Sequence, residues 1–223
     1  MLRHDPFIIG EYYHIYNRGI DKRTIFKLPN DYKRFIALLF IANSEKSFHL
    51  DDFLNKQKQA YDKIFIVDRG KVLVSIGAWS LMPNHFHILL KQESEGGITS
   101  FMKKVGTGYS MHFNIKYNRQ GALFGGPFKS KLIGYDDRYM KHLFGYIHIN
   151  SLDIRFPKWR ENIKRQLVSG MKNFLISYKY SSYVDYIGEK RQENVILNRS
   201  AFPDYFERKK NFQDFIESYF NFE

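Results

Sequence analysis

The sequence of 223 residues contains no cysteine, which excludes disulfide bonds, thiolate metal sites and a cysteine nucleophile. It also lacks any run of the roughly 20 apolar residues that a membrane-spanning helix needs. The first residues, MLRHDPFIIGEYYHIYNRG, lack the apolar core of a signal peptide. We therefore expect a soluble cytoplasmic protein without a membrane partner.

Acidic residues are the minority of the charged residues. Lys and Arg number 35 against 23 Asp and Glu, which gives a formal net charge of +12. A balance this basic favours a polyanionic partner, most often nucleic acid and less often an acidic membrane surface. No phosphate-binding loop of the Gly-x-x-x-x-Gly-Lys-Ser/Thr type is present, so a nucleotide cofactor is not expected.

Apolar and aromatic residues follow strand-like patterns in four places. Strands are predicted over 12–17, 72–81 and 85–90 and near Leu132 and Ile133. Pro83 and Asn84 form a turn between the second and third strands, which makes these two strands a hairpin.

Three stretches have helical spacing. Helices are predicted after a cap at Asn30 or Asp31, after Gly96 and Gly97, and over 136–150. The polar stretch 44–63 reads as an insertion or an exposed loop, and the chain from Ser151 onward reads as mostly helical. The order of the elements predicts an α+β sandwich with an antiparallel sheet.

Two histidines, His85 and His87, stand at i and i+2 in the predicted third strand. On a strand these positions share one face, so both imidazoles point the same way and suit one metal ion. A chance pair on a strand is the competing interpretation of this spacing.

Tyr139, Leu143, Tyr146 and Asn150 lie on one face of the predicted helix 136–150. A phenol and an amide one turn apart could both reach a metal-bound phosphate. The competing interpretation is a tyrosine packed in the core, since the chain has 16 tyrosines.

Several segments together resemble the IS200-like single-tyrosine transposases. SLMPNHFHILLK resembles their HUH signature, in which a bulky hydrophobic residue separates two histidines. YYHIYNRG resembles their first strand, GALFGGPFKSKLI the segment before their catalytic helix, and GYIHIN the motif with the nucleophile. KYSSYVDYIG resembles a downstream motif of the REP-associated tyrosine transposases, the subgroup that the chain resembles most. The sequence departs from the pattern after Asn150: many relatives continue with proline and a short Ala-Gly-Leu-like run, whereas this chain continues with Ser151, Leu152, Asp153 and Ile154.

The resemblance implies the HUH endonuclease fold, a ferredoxin-like sandwich in which helices flank a central antiparallel β-sheet. Residues 1–152 would form the catalytic domain, and 153–223 a mostly helical extension packed on it. The implied activity is a metal-dependent single-stranded DNA endonuclease and strand transferase that forms a 5′-phosphotyrosine, with hairpin DNA as the expected target. The longer REP-associated type also leads us to expect a monomer rather than a homodimer.

The resemblance also assigns roles to residues of this chain. It makes Tyr146 the nucleophile, His85 and His87 metal ligands, and Asn150 the third, amide ligand. The implied metal is Mg²⁺ or Mn²⁺, whereas two imidazoles by themselves favour zinc, copper, nickel or iron.

Basic and aromatic side chains near these motifs are candidates for DNA contacts. The candidate phosphate contacts are Arg18, Lys22, Arg23, Lys103, Lys104, Lys129 and Lys131. The candidate base-stacking rings are Tyr12, Phe124 and Phe128.

Other interpretations stay open. The main alternative is a non-catalytic single-stranded nucleic-acid-binding protein with the same fold. A zinc hydrolase and a replication initiator or relaxase are further alternatives. Tyr139 and Tyr109 are the alternative nucleophiles.

Overall fold

The computed structural model describes residues 6–48, 50–56, 60–134, 136–161, 165–206 and 208–220. The strands in these segments are β1 (Tyr12–Arg18), β2 (Val74–Met82), β3 (His85–Gln92) and β4 (Lys129–Leu132). The α-helices in these segments are α1 (Pro29–Ile41), α2 (Gly97–Lys116), α3 (Asp137–Ile149), α4 (Arg165–Ser177), α5 (Tyr183–Tyr186) and α6 (Lys209–Ser218). Short helical segments lie at Ile20–Lys22, Asp52–Lys56, Tyr61–Ile66, Asn150–Ile154, Gln192–Ile196 and Arg199–Ala201.

The strands form one antiparallel sheet in the order β2-β3-β1-β4. Each helical crossover, α1 after β1 and α2 after β3, therefore skips one strand, as in a ferredoxin-like sandwich. The predicted α+β fold with a central antiparallel sheet is confirmed. The predicted hairpin is also confirmed, since β2 and β3 pair from Val74 opposite Gln92 to Met82 opposite His85.

Helices cover both faces of the sheet because the strands carry apolar residues on both. On one face, α1 and α2 enclose a core with side chains such as Ile15, Phe86 and Ile88. On the other face, α3 and the C-terminal helices pack over Ala78 and Leu89. The C-terminal part of the chain is mostly helical, as predicted, within the residues that the structure describes.

Local rules explain where the helices begin. Gly96 has a left-handed φ of 63°, and α2 begins at the next residue, Gly97, whose missing side chain leaves room for the carbonyl of Leu73. Asp136 caps α3, because its Oδ1 accepts a hydrogen bond from the backbone N–H of Tyr139 at 3.0 Å.

Two predictions about secondary structure need correction. Neither Asn30 nor Asp31 caps α1, which begins at Pro29 because proline suits a first helical turn. Asp31 lies in that turn, and its Oδ2 accepts from the backbone N–H groups of Lys27 and Leu28 at 2.8 and 2.9 Å.

The stretch 44–63 is only in part an exposed loop. It contains the π-helical segment Asp52–Lys56 and the start of the 3-10 helix Tyr61–Ile66, and Leu50 is buried in the core. Residues 49 and 57–59 of this stretch lie outside the described residues.

The predicted domain boundary at 152/153 falls inside the 3-10 helix Asn150–Ile154 and stays a prediction. None of the helices in the described segments is long and apolar enough to cross a membrane.

Candidate active site

The histidine pair, His85 and His87, stands at the start of β3, directly after the turn at Pro83 and Asn84. Both imidazoles lie on the sheet face that α3 covers, with ring centroids 5.2 Å apart. Phe86 points to the opposite face, where its ring lies 5.0 Å from that of Phe35. Strand alternation therefore places both histidines on one face.

A hydrogen bond occupies Nδ1 of each imidazole of the pair. Nδ1 of His85 lies 2.6 Å from Oδ1 of Asn84, and Nδ2 of that amide donates to the Lys22 carbonyl at 3.1 Å. The amide is thereby oriented with its oxygen toward His85, so Nδ1 of His85 is the donor. Nδ1 of His87 lies 2.8 Å from Nε2 of His14. The nitrogen that each imidazole can present to a ligand is consequently Nε2.

Helix α3 brings Tyr146 and Asn150 to the histidine pair. The Tyr146 ring centroid lies 5.5 Å from that of His87. Asn150 follows one turn later, is only 7% exposed, and places its Nδ2 3.4 Å from Nε2 of His85. Leu143, on the same helix face, is buried in the core and holds this face against the sheet.

Tyr146 and the histidine pair line a cavity of about 420 Å³. Its walls come from the end of β1, the start of β3, β4, α3 and the loop before β4. The lining residues are Tyr16, Asn17, Arg18, Gly19, His85, His87, Gly125, Pro127, Lys129 and Tyr146.

Burial and positive charge keep the imidazoles neutral. Burial, assisted by Arg18, lowers the pKa of His85 to about 4. Burial also lowers the pKa of His87 well below 6.5, and the neighbouring His14 and His85 add to the effect. Both rings are therefore uncharged at neutral pH, which is the state that ligates a metal.

Burial has the opposite consequence for the phenol, because it raises the pKa of Tyr146 above 10.0. Arg160 lowers this pKa, while Asp153 and Tyr16 raise it further. The Tyr146 hydroxyl is therefore protonated at neutral pH. To act as a nucleophile, this hydroxyl needs a phosphate whose phosphorus is made more electrophilic by nearby positive charge.

The chemistry of the donors suits a divalent cation. Nε2 of His85, Nε2 of His87 and the side-chain oxygen of Asn150, after rotation of its amide, could be three ligands on one side. Among the described residues no group of three His, Cys, Asp or Glu is arranged to hold a metal. Water and phosphate oxygens would complete the coordination shell.

The candidate DNA contacts fall into two groups, those at or near the cavity and those on α2. Arg18 and Lys129 line the cavity. Lys131 lies two residues along β4 from Lys129, with its Nζ 4.2 Å from the centre of the Tyr139 ring. Lys22 and Arg23 lie in and just after the short helix Ile20–Lys22, beyond the end of β1.

Lys103 and Lys104 belong to α2, which packs on the opposite sheet face, so the structure does not bring them to the cavity. Nζ of Lys104 donates to the backbone carbonyls of Ser44 and Lys46 at 2.5 and 3.2 Å. Lys103 is exposed.

The alternative nucleophiles lie elsewhere. Tyr109 is completely buried on the α1–α2 side, where its hydroxyl donates to the carbonyl of Ile25. Tyr139 lies on α3 two turns before Tyr146, against Lys131. Neither side chain lines the cavity.

The aromatic residues considered for base stacking also have packing partners. The hydroxyl of Tyr12 donates to the carbonyl of Ala201 at 3.0 Å, and its ring lies 5.3 Å from that of Phe202. Phe124 and Phe128 are half-buried against the α1–α2 core.

Two residues of the site, His14 and Tyr16, were not singled out from the sequence. They alternate along β1 and lie on the same face as the histidine pair, because Tyr16 is directly opposite His87 in the antiparallel register. The pattern YYHIYN does contain this alternation. Its meaning depends on the pairing of β1 with β3, which joins residues 73 positions apart.

The fold can be compared with known structures. A solved structure of a REP-associated tyrosine transposase bound to a REP hairpin matches the chain with a TM-score of 0.50 at 12% sequence identity. The match covers 91% of this chain and 88% of that one. No known protein family and no curated protein matches by sequence. At this identity the likeness concerns the fold alone, and the chain has the fold of a tyrosine transposase.

Proposed function

We propose that the protein is a metal-dependent endonuclease and strand transferase of the REP-associated tyrosine transposase type, which cuts and rejoins single-stranded DNA. The observation that carries the proposal is that Tyr146 shares one cavity with the histidine pair, 5.5 Å from the ring of His87. Asn150 lies one helical turn from Tyr146 and reaches His85. A nucleophile, candidate metal ligands and the basic side chains of Arg18 and Lys129 thus surround one space.

In the cleavage step, the Tyr146 oxygen forms a bond to the scissile phosphorus, and the bond from phosphorus to the 3′-oxygen breaks. The phenol loses a proton and the departing 3′-oxygen gains one. The products are a 5′-phosphotyrosine and a free 3′-hydroxyl. Attack of a 3′-hydroxyl on the phosphotyrosine rejoins a strand and restores the phenol, so no nucleotide cofactor is consumed.

His85, His87 and Asn150 would hold a Mg²⁺ or Mn²⁺ ion, which would supply Lewis acidity to the scissile phosphate when bound. The chain itself contributes neutral imidazoles, which need not lose a proton before they ligate. Arg18 and Lys129 add positive charge at the cavity wall and position the DNA backbone.

We propose hairpin DNA as the substrate. The solved transposase that shares this fold is bound to a REP hairpin. The net charge of +12 of this chain suits a folded DNA of high phosphate density.

The experiment is a denaturing gel of the purified protein incubated with end-labelled single-stranded DNA hairpins and Mn²⁺. We expect an SDS-resistant protein–DNA adduct that disappears in Tyr146→Phe and in the presence of a chelator. Tyr139→Phe is the matched control, because it removes a hydroxyl from the same helix and leaves the cavity intact. It should retain the adduct.

An adduct that persists in Tyr146→Phe would move the nucleophile to another tyrosine. Tyr16→Phe should then be tested first, because Tyr16 lines the same cavity. Tyr109 would need local unfolding to reach DNA.

The second candidate function is non-catalytic binding of single-stranded nucleic acid, which the net charge of +12 favours independently of the cavity. Salt-sensitive binding on a native gel, without an adduct across a panel of hairpins, would support it against the enzyme.

A further inference from the structure

His14 is the nearest polar neighbour of the histidine pair on the sheet. It lies on β1, opposite Leu89 in the β1–β3 register, and its Nε2 is 2.8 Å from Nδ1 of His87. It is only 7% exposed, so this hydrogen bond is shielded from water. Its ring stacks on that of His87, with centroids 5.0 Å apart.

The hydrogen bond between His14 and His87 has two possible directions, and only one of them suits His87 as a metal ligand. If His14 donates from Nε2, then Nδ1 of His87 accepts, and a neutral His87 carries its proton on Nε2, the nitrogen facing the cavity. If His87 donates from Nδ1, its Nε2 has a free lone pair. Only the second arrangement presents a ligand nitrogen without a proton rearrangement.

The other histidine of the pair already has the second arrangement. Nδ1 of His85 donates to the oriented oxygen of Asn84. An acceptor behind Nδ1 is the usual way in which proteins fix the tautomer and ring angle of a metal-ligating histidine. His14 occupies for His87 the position that Asn84 occupies for His85.

We propose that His14 is a positioning residue: it accepts the Nδ1 proton of His87 through its own Nε2 and so holds Nε2 of His87 toward the cavity as a metal ligand. The inference rests on the proposed function, because the metal site that His14 would support is part of that function. His14 is not itself a ligand in this arrangement, because its Nε2 is engaged by His87.

Two substitutions separate this role from packing. His14→Gln places an amide oxygen where Nε2 was and keeps an acceptor, whereas His14→Phe keeps an aromatic ring of similar size and removes the acceptor. His112→Phe is the control for loss of a partly buried histidine, because His112 lies on α2 at the opposite sheet face. Thermal unfolding of each variant verifies that it is folded.

The first measurement is the tautomer of His87 by two-bond proton–nitrogen NMR of ¹⁵N-histidine-labelled protein without metal. We expect the Nδ1-protonated form in the wild type and in His14→Gln, and a mixture containing the Nε2-protonated form in His14→Phe. A wild-type His87 protonated on Nε2, or a tautomer that does not respond to His14→Phe, would overturn the proposal. A role limited to packing predicts no such response.

The second measurement is the Mn²⁺ affinity, from the free-Mn²⁺ signal in electron paramagnetic resonance titrations of each protein with the metal alone. We expect His14→Phe to weaken binding by about 10- to 100-fold and His14→Gln to change it by about threefold or less. Wild-type binding that His14→Phe leaves unchanged would overturn the positioning role alone. A wild type that binds no Mn²⁺ would instead overturn the metal site of the proposed function.

Discussion

One buried hydroxyl in the chain after α3, that of Ser182, makes a hydrogen bond to α3. Its Oγ lies 2.7 Å from Nε2 of His148, a residue of α3 between Tyr146 and Asn150. It also accepts from the backbone N–H of Trp79, on β2, at 2.9 Å. Nδ1 of His148 lies 2.7 Å from the Phe144 carbonyl, so Nδ1 carries the proton and Nε2 accepts from Ser182.

Replacing Ser182 with alanine should therefore destabilise the protein more than the loss of one surface hydroxyl would. Ser182 and His148 are both 0% exposed, so water cannot replace the lost partner without a rearrangement. The substitution leaves an imidazole nitrogen and a backbone N–H unsatisfied, each at a cost of about 1–3 kcal/mol. The expected loss of unfolding free energy is about 3 kcal/mol, which lowers the melting temperature of a protein of this size by about 6–12 °C.

Ser181→Ala is the matched control, because Ser181 is the preceding residue and is equally buried. Its Oγ accepts one hydrogen bond, from the backbone N–H of Tyr183 at 3.2 Å. We expect a loss of about 1 kcal/mol for this variant, because one long hydrogen bond is lost. Urea unfolding followed by circular dichroism measures both. Equal losses in the two variants, or a loss below about 1 kcal/mol for Ser182→Ala, would refute the assigned hydrogen bonds.

Three further substitutions test other parts of the molecule. Burial raises the pKa of Asp31, but hydrogen bonds, first that from Lys116, bring it below 3.8. The ionised carboxylate of Asp31 therefore stabilises the fold fully at pH values above 3.8, its pKa in the unfolded chain. This stabilisation is lost as the pH falls through the lower pKa of Asp31 in the folded protein. Asp31→Asn should accordingly unfold at lower urea than the wild type at pH 7, and the difference should shrink at pH 3. If DNA occupies only the cavity face, Lys129→Ala should weaken hairpin binding and reduce the slope of the logarithm of the binding constant against the logarithm of the salt concentration by about 1. Lys103→Ala should change neither the affinity nor the slope. Equal losses of affinity in filter-binding measurements would show that the DNA path extends to α2. Asn150→Asp should tighten Mn²⁺ binding in the resonance titration but reduce adduct formation, because it adds negative charge beside the phosphate.

The fold could be predicted from the sequence because its patterns are local. The strand-like apolar runs over 72–81 and 85–90 and the turn at Pro83 identify the hairpin, and Asp136 identifies the start of α3. The predicted start of α1 was wrong because the local pattern was compatible with more than one first residue of the helix. Asp31 has the chemistry of a cap, yet it sits inside the first turn because Pro29 begins the helix.

The candidate site was only partly predictable, for a reason that is also physical. The shared face of His85 and His87 follows from their spacing alone. The contribution of His14 depends on the register of two strands that are far apart in the chain, and no local rule supplies that register. The same limit applies to Lys103, because only the packing of α2 shows that this side chain does not line the cavity.

The position of the site also explains why the C-terminal helices share a core with α3. The sheet face beneath α3 carries imidazoles and a phenol where a purely structural sheet would carry apolar side chains. It contributes Ala78 and Leu89 to the apolar contacts there. The larger apolar groups in this core come from α3 and from the extension, such as Phe144 and Phe212. A helix is held in place mainly by the apolar surface that it buries. Because polar side chains occupy much of the sheet face under α3, the C-terminal helices supply apolar contacts to α3 that the sheet does not.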